Sequence, residues 1–413
     1  MKILIISDTD DISLGIHKEL STKFDSTLLT LNDNLNVPNV INVSKLRNRR
    51  LIKLKNSIRS FIHRNILFKA VDYYYYQDIN ERNHYYSLSR IKNKINFVPD
   101  IIIIFFDYRI LTTKTIAELY NWSKAKMIWM LVDMKPFTGG CSYSDDCINY
   151  TIDCSNCPAI NNSFFKDYPK NILKDKLLNL KNTPIDIFVN SEFQKKQVVS
   201  SSLFKNKNIF KVPFPIDSKV FNTNFKQTAK DKLSLPKDKK IIMFGAAKLI
   251  EKRKGISFLL KALKMLETKY SKEDLVLLVV GNSNLKLFET TYFETIMLGY
   301  VDYSKLSLAY QASDVFVCSS IEDSGPVMVP QSLMCGTPVI AFKMGISIDL
   351  IKDGETGYIA DLKDEVGLYD GLMRILELSK EQKEEISHKC IEITNVHSFS
   401  SFNKKISSIK INS

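Results

Sequence analysis

Runs of consecutive apolar residues alternate along the chain with polar stretches in which apolar positions recur every three or four residues. KILIIS leads into ISLGIHKELSTKF, and Pro99-Asp100 introduces IIIIFF, followed by ILTTKTIAELYNWSKA and then MIWMLV. Unbroken β-branched and aromatic runs fit parallel strands covered on both faces, and the period near 3.6 fits amphipathic helices. The alternation predicts a parallel α/β sheet. It restarts downstream: IDIFVNS and IFKVPFPID precede a Lys-rich, Pro-marked link, QTAKDKLSLPKDKK. After it come KIIMFGAA, a helical SFLLKALKMLETKY, LVLLVVGNS, TIMLGYVD, a helical KLSLAYQAS, DVFVCSS, a polar loop, a short helix ending in QSLMCG, and TPVIAF. Pro330 marks the start of that short helix and Gly336 its end.

The pattern predicts two doubly wound domains in tandem: residues 1–222, residues 223–395, and a last segment, 396–413, that reads as a helix packing back on the first domain. In such sheets ligands bind at the carboxyl ends of the strands, and two facing sheets form a cleft between them. A chain of 413 residues is too long for one ordinary core, and its 45% apolar and 25% charged residues are those of a globular protein. The apolar run of MKILIISDTDD is too short for a signal-peptide core, and no stretch reaches the ~18 apolar residues of a membrane span. A cytoplasmic protein is the expectation.

The net charge of +13 favours an anionic partner. From Lys45 to Arg64, KLRNRRLIKLKNSIRSFIHR carries eight Lys or Arg and no acid, while Leu51, Leu54, Ile58, Phe61 and Ile62 recur at helical spacing. This is the pattern of a basic helix lying on an anionic membrane surface; a surface helix packed on its own domain is the competing reading. Interleaved aromatics and a nucleic-acid motif are missing, so no nucleic-acid partner is expected.

Two places carry candidate chemistry. The loop SIEDSGP, between DVFVCSS and the short helix, sets Glu322, Asp323, Ser324 and Gly325 at the end of a buried strand. There the backbone N–H groups of a Ser-Gly turn and a helix start can receive phosphate oxygens. Acids near a helix start are also an ordinary structural feature. The second place is an insert at 139–158 with Cys141, Cys147, Cys154 and Cys157 spaced C-x5-C-x6-C-x2-C. Four thiolates suit a structural zinc, although only the last pair has familiar ligand spacing; free thiols and disulfides stay open. Cys318, Cys335 and Cys390 read as core residues.

The string DSG…QSLMCGTPVIAF, followed by KDGETGYIA, resembles the signature of the retaining, nucleotide-sugar glycosyltransferases of family 4. These fold as GT-B, two Rossmann-like domains facing across a cleft with the donor in the second. Anchored on Cys335-Gly336-Thr337-Pro338, the family's acid pair falls on Asp323 and Gln331. The resemblance gives Asp323 the donor sugar hydroxyls and Gln331 the nucleotide ribose, an amide replacing the family's second acid. MFGAAKLIEKRKGISFLLKAL resembles the donor-phosphate element, with Gly245 in its Gly loop, Lys254 as the family Lys and Arg253 or Lys248 as the Arg. Preorganised cations there would stabilise the leaving diphosphate without a metal, so no cofactor is required for catalysis. VNSEFQ, with Ser191, and KVPFPIDSKVF resemble the segments that close the first domain; for Ser191 an N-cap is a complete structural account.

WMLVDMKPFTGGCSYSDDCINYTIDCSNCP resembles an element of the branch that builds bacterial surface polysaccharides. Val132 and Ser142 stand where relatives carry histidines, and none of His17, His63, His84, His388 and His397 falls on a family motif. Asp133 and Thr138 are the acceptor-side candidates. SDTDDISLG lacks the double Gly of the family's first loop.

The resemblance implies transfer of a sugar from a nucleotide donor to a lipid-linked or growing glycan in capsule, O-antigen or exopolysaccharide synthesis, by an enzyme peripheral on the inner face of the cell membrane. A sugar phosphorylase or synthase on the same architecture, and a non-catalytic membrane- or glycan-binding scaffold, are the alternatives.

Overall fold

The structure is a computed structural model. It describes the chain except residues 8–9, 33–36, 44–57, 59–60, 63–64, 66–75, 77–80, 82–86, 106–109, 283–287, 289–290 and 410–413, and describes residues 10–11 and 282 by their backbone alone. The basic helix expected over 45–64 therefore lies outside the described residues apart from Ile58, Phe61 and Ile62, whose side chains are exposed.

The chain forms two compact units, one of residues 1–190, 194–213 and 399–413, the other of 191–193 and 214–398. In the first unit the order is β1 (Lys2–Ile6), α1 (Asp10–Leu20), β2 (Asp25–Thr30), β3 (Val40–Asn42), α2 (Leu88–Ile95), β4 (Ile101–Phe105), α3 (Thr113–Ser123), β5 (Lys126–Met130), α4 (Tyr168–Leu180), β6 (Ile185–Val189), α5 (Glu192–Ser200) and β7 (Asn208–Lys211). The strands pair in parallel in the order β3-β2-β1-β4-β5-β6-β7. β1 and β4 are IIIIF-type runs buried on both faces, as a helix-covered parallel sheet requires. Trp129 on β5 is fully buried, its ring edge-on to Phe204 at 5.4 Å.

The second unit runs β8 (Lys240–Lys248), α6 (Ile256–Leu266), β9 (Leu275–Asn282), β10 (Glu294–Gly299), α7 (Tyr303–Ala312), β11 (Val315–Cys318), α8 (Met328–Met334), β12 (Val339–Phe342), β13 (Gly357–Ala360), α9 (Glu365–Leu376) and α10 (Lys380–Ile393). Its parallel sheet has the order β10-β9-β8-β11-β12-β13. The core gathers Ile242, Phe244, Leu277, Phe316, Ile340 and Phe342, all almost without exposure. The final helix, α11 (Phe399–Ser407), belongs to the first unit and packs on α1, the Phe399 ring lying where Gly15 has no Cβ.

Both units thus repeat one winding, with the chain stepping outward from a first strand on one side and returning to its other side. These are the two Rossmann-like sheets of the GT-B fold. One helix start differs from the sequence expectation: α8 begins at Met328, two residues before Pro330. Its first backbone bond is donated by Gln331 to Val327 O, so the N–H that Pro330 lacks has no partner to lose in that first turn. Gly336, at φ +68°, ends the helix in the left-handed conformation that glycine adopts without strain.

Candidate functional site

In the second sheet the winding reverses between β8 and β11, and ligands of doubly wound sheets bind beyond the carboxyl ends of the strands at such a point. Two segments leave the sheet there. After β8 the chain makes a basic turn, Lys252–Lys254, and enters α6 through Gly255; after β11 it runs through Ser319 to Gly325.

The two are stapled by backbone. Ser319 Oγ donates to Lys254 O at 2.9 Å, and Ile321 N donates to Arg253 O at 2.7 Å. Gly255 sits at φ +62°, and a Cβ on it would run into Ser319 O. That close approach and the left-handed backbone both require glycine.

The staple fixes the charges. Arg253 Nη1 donates to Asp323 Oδ2 at 2.7 Å, and Lys254 Nζ donates to the same oxygen at 2.8 Å. All three side chains are largely buried, at 13%, 16% and 12% exposure for Arg253, Lys254 and Asp323, so water screens the cluster poorly. Arg253 Nη2 also meets Glu251 at 2.8 Å. Burial pushes the Asp323 carboxyl up, but the neighbouring Lys254 and Arg253 charges outweigh it and hold the group below the usual carboxylate range. Gly325 N donates to Asp323 Oδ1 at 3.3 Å.

The structure therefore brings Asp323, Arg253, Lys254, Ser324 and Gly325 together. Ser324 is buried with no partner for its hydroxyl among the described residues, while its carbonyl accepts from Ser191 Oγ at 2.9 Å. Gln331 lies two turns further on, in α8, buried and accepting from Tyr310 Oη at 3.5 Å. Gly245, in β8, leaves room for the Met328 methyl at the start of α8. Lys248 ends β8 with its side chain exposed, and no bond joins it to Asp323 among the described residues. Patterning pointed neither to Glu251 as a partner of Arg253 nor to Ser347, whose buried hydroxyl has no partner among the described residues. Gly345, two residues before Ser347, adopts φ +56° with Asp323 O close by.

In the first unit, the acceptor-side candidates serve local turns. Asp133 Oδ1 accepts from Lys135 N at 2.9 Å; Thr138 Oγ1 donates to Cys141 O at 2.8 Å and accepts from Gly140 N at 3.2 Å. Val132 is 43% exposed and Ser142 buried. Beneath this loop lies a residue that patterning missed: Lys176 of α4, fully buried, donates to Lys135 O at 2.7 Å and Thr138 O at 2.8 Å. Burial holds its ammonium down at about 8.

Cys141, Cys147, Cys154 and Cys157 are free thiols around one small cavity. A hydrogen bond shared between Cys141 and Cys157 raises the first thiol and lowers the second. The closed four-thiolate set expected from the spacing is not formed: among the described residues no three Cys, His, Asp or Glu stand as a metal-holding group. Instead the sulfurs turn to each other and to backbone N–H groups, Cys154 Sγ accepting from Gly139 N at 3.3 Å.

Comparison with known proteins places these features. Residues 225–393, which contain the whole Arg253–Lys254–Asp323 cluster, match the family model described as glycosyl transferases group 1. A phosphatidyl-myo-inositol mannosyltransferase of Mycobacterium leprae is 30% identical over 132 residues, 30% of this chain and 34% of the relative. An uncharacterized 41.2 kDa protein in the cps region of Klebsiella pneumoniae is 26% identical over 181 residues, 43% of this chain and 48% of the relative. The matches thus span less than half the length of these curated relatives. Among solved structures, a sucrose-phosphate synthase from Thermosynechococcus elongatus superposes with a TM-score of 0.66 at 15% identity, covering 98% of this chain and 97% of the other. HepE of Anabaena, solved with UDP-glucose, superposes at 0.63 with 12% identity over 98% of each chain, a likeness of fold. The family likeness is carried by residues 225–393, which make up most of the second unit.

Proposed function

We propose that this protein is a retaining, metal-independent glycosyltransferase that moves a hexosyl group from a nucleotide sugar to a hydroxyl of a lipid-linked or growing glycan. The observation that carries the reading is the Asp323 carboxylate bound by two cations at the reversal point of the family-matched sheet. Breaking the sugar–diphosphate bond builds negative charge on the leaving phosphate, and cations in a poorly screened site beside it stabilise that charge. On this reading Lys254 and Arg253, with Lys248 at the exposed end of β8, turn from Asp323 to the diphosphate. Asp323 is then freed for sugar hydroxyls, and Ser324 and Gly325 offer a hydroxyl and a backbone N–H. Gln331 takes the ribose, its amide accepting from one hydroxyl and donating to the other. The leaving phosphate receives the acceptor proton on the face of the sugar it departs from, which retains the anomeric configuration. Asp133 and Thr138 belong to the acceptor side.

Surface polysaccharide synthesis is the pathway class we favour, on the first-unit element of residues 129–158 and the likeness to a cps-region protein. The basic, apolar-striped sequence of 45–64, with Ile58, Phe61 and Ile62 exposed, supports attachment to an anionic inner membrane face from the cytoplasmic side. No helix among the described residues is long and apolar enough to cross a membrane.

Thermal-shift screening against uridine, guanosine and adenosine diphosphate sugars tests donor binding, because a ligand of the folded state alone raises apparent stability. Uridine diphosphate sugars come first in the panel, since HepE is solved with UDP-glucose. Release of nucleoside diphosphate, lost in Asp323→Ala and Lys254→Ala, is the expected outcome. Intact turnover in both variants refutes the site, and absence of any nucleotide-sugar binding refutes the enzyme.

A further inference from the structure

The basic turn after β8 is built on one acid. Glu251 N donates to Lys248 O at 3.4 Å and Glu251 O accepts from Lys254 N at 2.8 Å, so this residue opens the 3-10 turn Lys252–Lys254. An acid at the start of a helical turn ordinarily serves the free backbone N–H groups there. Glu251 does not: its side chain makes no cap hydrogen bond and reaches past the exposed Lys252 to Arg253 Nη2, at 2.8 Å. The carboxylate is 21% exposed and the guanidinium 13%, which leaves water little part in the pair.

Arg253 is thus held at both arms of its guanidinium. Nη1 pairs with Asp323 at 2.7 Å and Nη2 with Glu251. Its main chain is fixed too, because Ile321 N donates to its carbonyl at 2.7 Å, and Lys254 beside it is tied through Ser319 Oγ. Only side-chain torsions remain to move the charge. With Lys254 on Asp323 at 2.8 Å, these four residues set two cations against two carboxylates and are balanced without a ligand. An anion that takes the place of the Asp323 carboxylate removes a partner that fixes the guanidinium. Glu251 stays.

We propose, on the donor site inferred above, that Glu251 is a positioning residue for the donor diphosphate. Its carboxylate keeps the guanidinium facing the site through Nη2 while Nη1 passes from Asp323 to a phosphate oxygen. Arginine carries its donors in a rigid plane, so an ion pair at one nitrogen orients the other. A long side chain held in advance loses less freedom when the ligand arrives, and that raises affinity. Glu251 also repels the incoming diphosphate. The guanidinium lies between the two anions and nearer to each than they are to each other, so its attraction outweighs that repulsion. Glu251 itself touches no reacting atom. The competing role is a plain turn ion pair, which matters to folding of the second unit and is indifferent to the ligand.

A double-mutant cycle separates the two. Calorimetric titration of the full chain with uridine, guanosine and adenosine diphosphate selects the tightest ligand, and its Kd is then measured in Glu251→Ala, Arg253→Ala and the double variant. Glu251→Ala should weaken binding about tenfold when Arg253 is present and by less than about twofold when it is absent. Glu251→Gln, which keeps an acceptor for Nη2 without the charge, should recover part of the loss; measured with and without Arg253, it carries the test alone if Glu251→Ala does not fold. Equal losses in both backgrounds, no loss, or tighter binding in Glu251→Gln overturns the proposal. Binding of none of the three diphosphates by the unmutated protein overturns it together with the glycosyltransferase reading, whereas binding with an additive cycle overturns it alone.

Discussion

Asp323→Ala removes the shared acceptor of two cations and leaves both in place. At neutral pH the carboxylate is fully ionised in the folded chain, its titration held below the usual range, so the whole interaction is present. The sign follows from that direction: the contribution persists above the ordinary carboxylate value and is lost only as pH falls through the lower folded one. A hydrogen bond to a charged group contributes roughly 1.5–3 kcal/mol, and there are two, at 2.7 and 2.8 Å. Residual exposure of 12–16% and the second anchor of Arg253 on Glu251 reduce the sum. Stripping one partner from a buried ion pair costs about 3–5 kcal/mol, so a loss near 3 kcal/mol is the expectation.

The assay must report on the second unit. Both tryptophans, Trp122 and Trp129, lie in the first, so intrinsic fluorescence would miss the effect. Native-state hydrogen exchange at the β8 and β11 amides reads it directly. In the double variant Asp323→Ala/Lys254→Ala the losses should fall short of additivity by about 1–2 kcal/mol, since one interaction cannot be lost twice. Additive losses, or a cost of Asp323→Ala below about 0.5 kcal/mol, refute the claim that this cluster holds the two loops together.

Three further outcomes are expected. Gly255→Ala meets both a left-handed backbone and the Ser319 carbonyl; it should destabilise the second unit by more than about 2 kcal/mol and abolish donor binding, measured by hydrogen exchange and thermal shift. Lys176, held at about 8 against an ordinary 10.5, binds fewer protons folded than unfolded between those values. Stability of the first unit should therefore rise with pH across that window by about 3 kcal/mol, followed by tryptophan fluorescence in urea, and Lys176→Met should remove that part of the slope. Gln331→Glu puts a charge where the ribose is proposed to sit, and should lower KM for the donor several-fold with kcat little changed; an unchanged KM removes Gln331 from the ribose.

Individual strands were legible where they are continuous apolar runs, as in β1, β4, β9 and β12, whereas their order in the sheet was not. A strand was not legible in β2, whose polar Ser26, Thr27 and Thr30 are buried all the same. Ser26 survives there because its hydroxyl bonds His17 Nδ1 at 3.0 Å, a partner nine residues away that no periodicity announces. α4 escaped notice for a related reason: YPKNILKDKLLNL reads as a solvated helix, and the lysine at its buried face is invisible until its carbonyl partners are known. Motif register singled out Asp323, Lys254 and Gln331 as candidates in the sequence. The pairing of Arg253 and Lys254 with Asp323, some seventy residues apart, needed the sheet reversal that sets β8 beside β11.

That pairing also sets apart the two adjacent acids of SIEDSGP. Glu322 and Asp323 are alike in charge and both are buried, at 8% for Glu322 and 12% for the Asp323 side chain, so neither composition nor burial separates them. Beyond β11 the chain still runs irregularly outward, where neighbouring side chains take different directions. Ile321 N is tied to Arg253 O, which fixes how far along the loop the cations can reach. From that anchor the Arg253 guanidinium reaches the Glu322 carbonyl at 3.5 Å and the Asp323 carboxylate at 2.7 Å. A single residue of register thus separates the acid paired with both cations from its neighbour, and the Gly255–Ser319 contact sets that register.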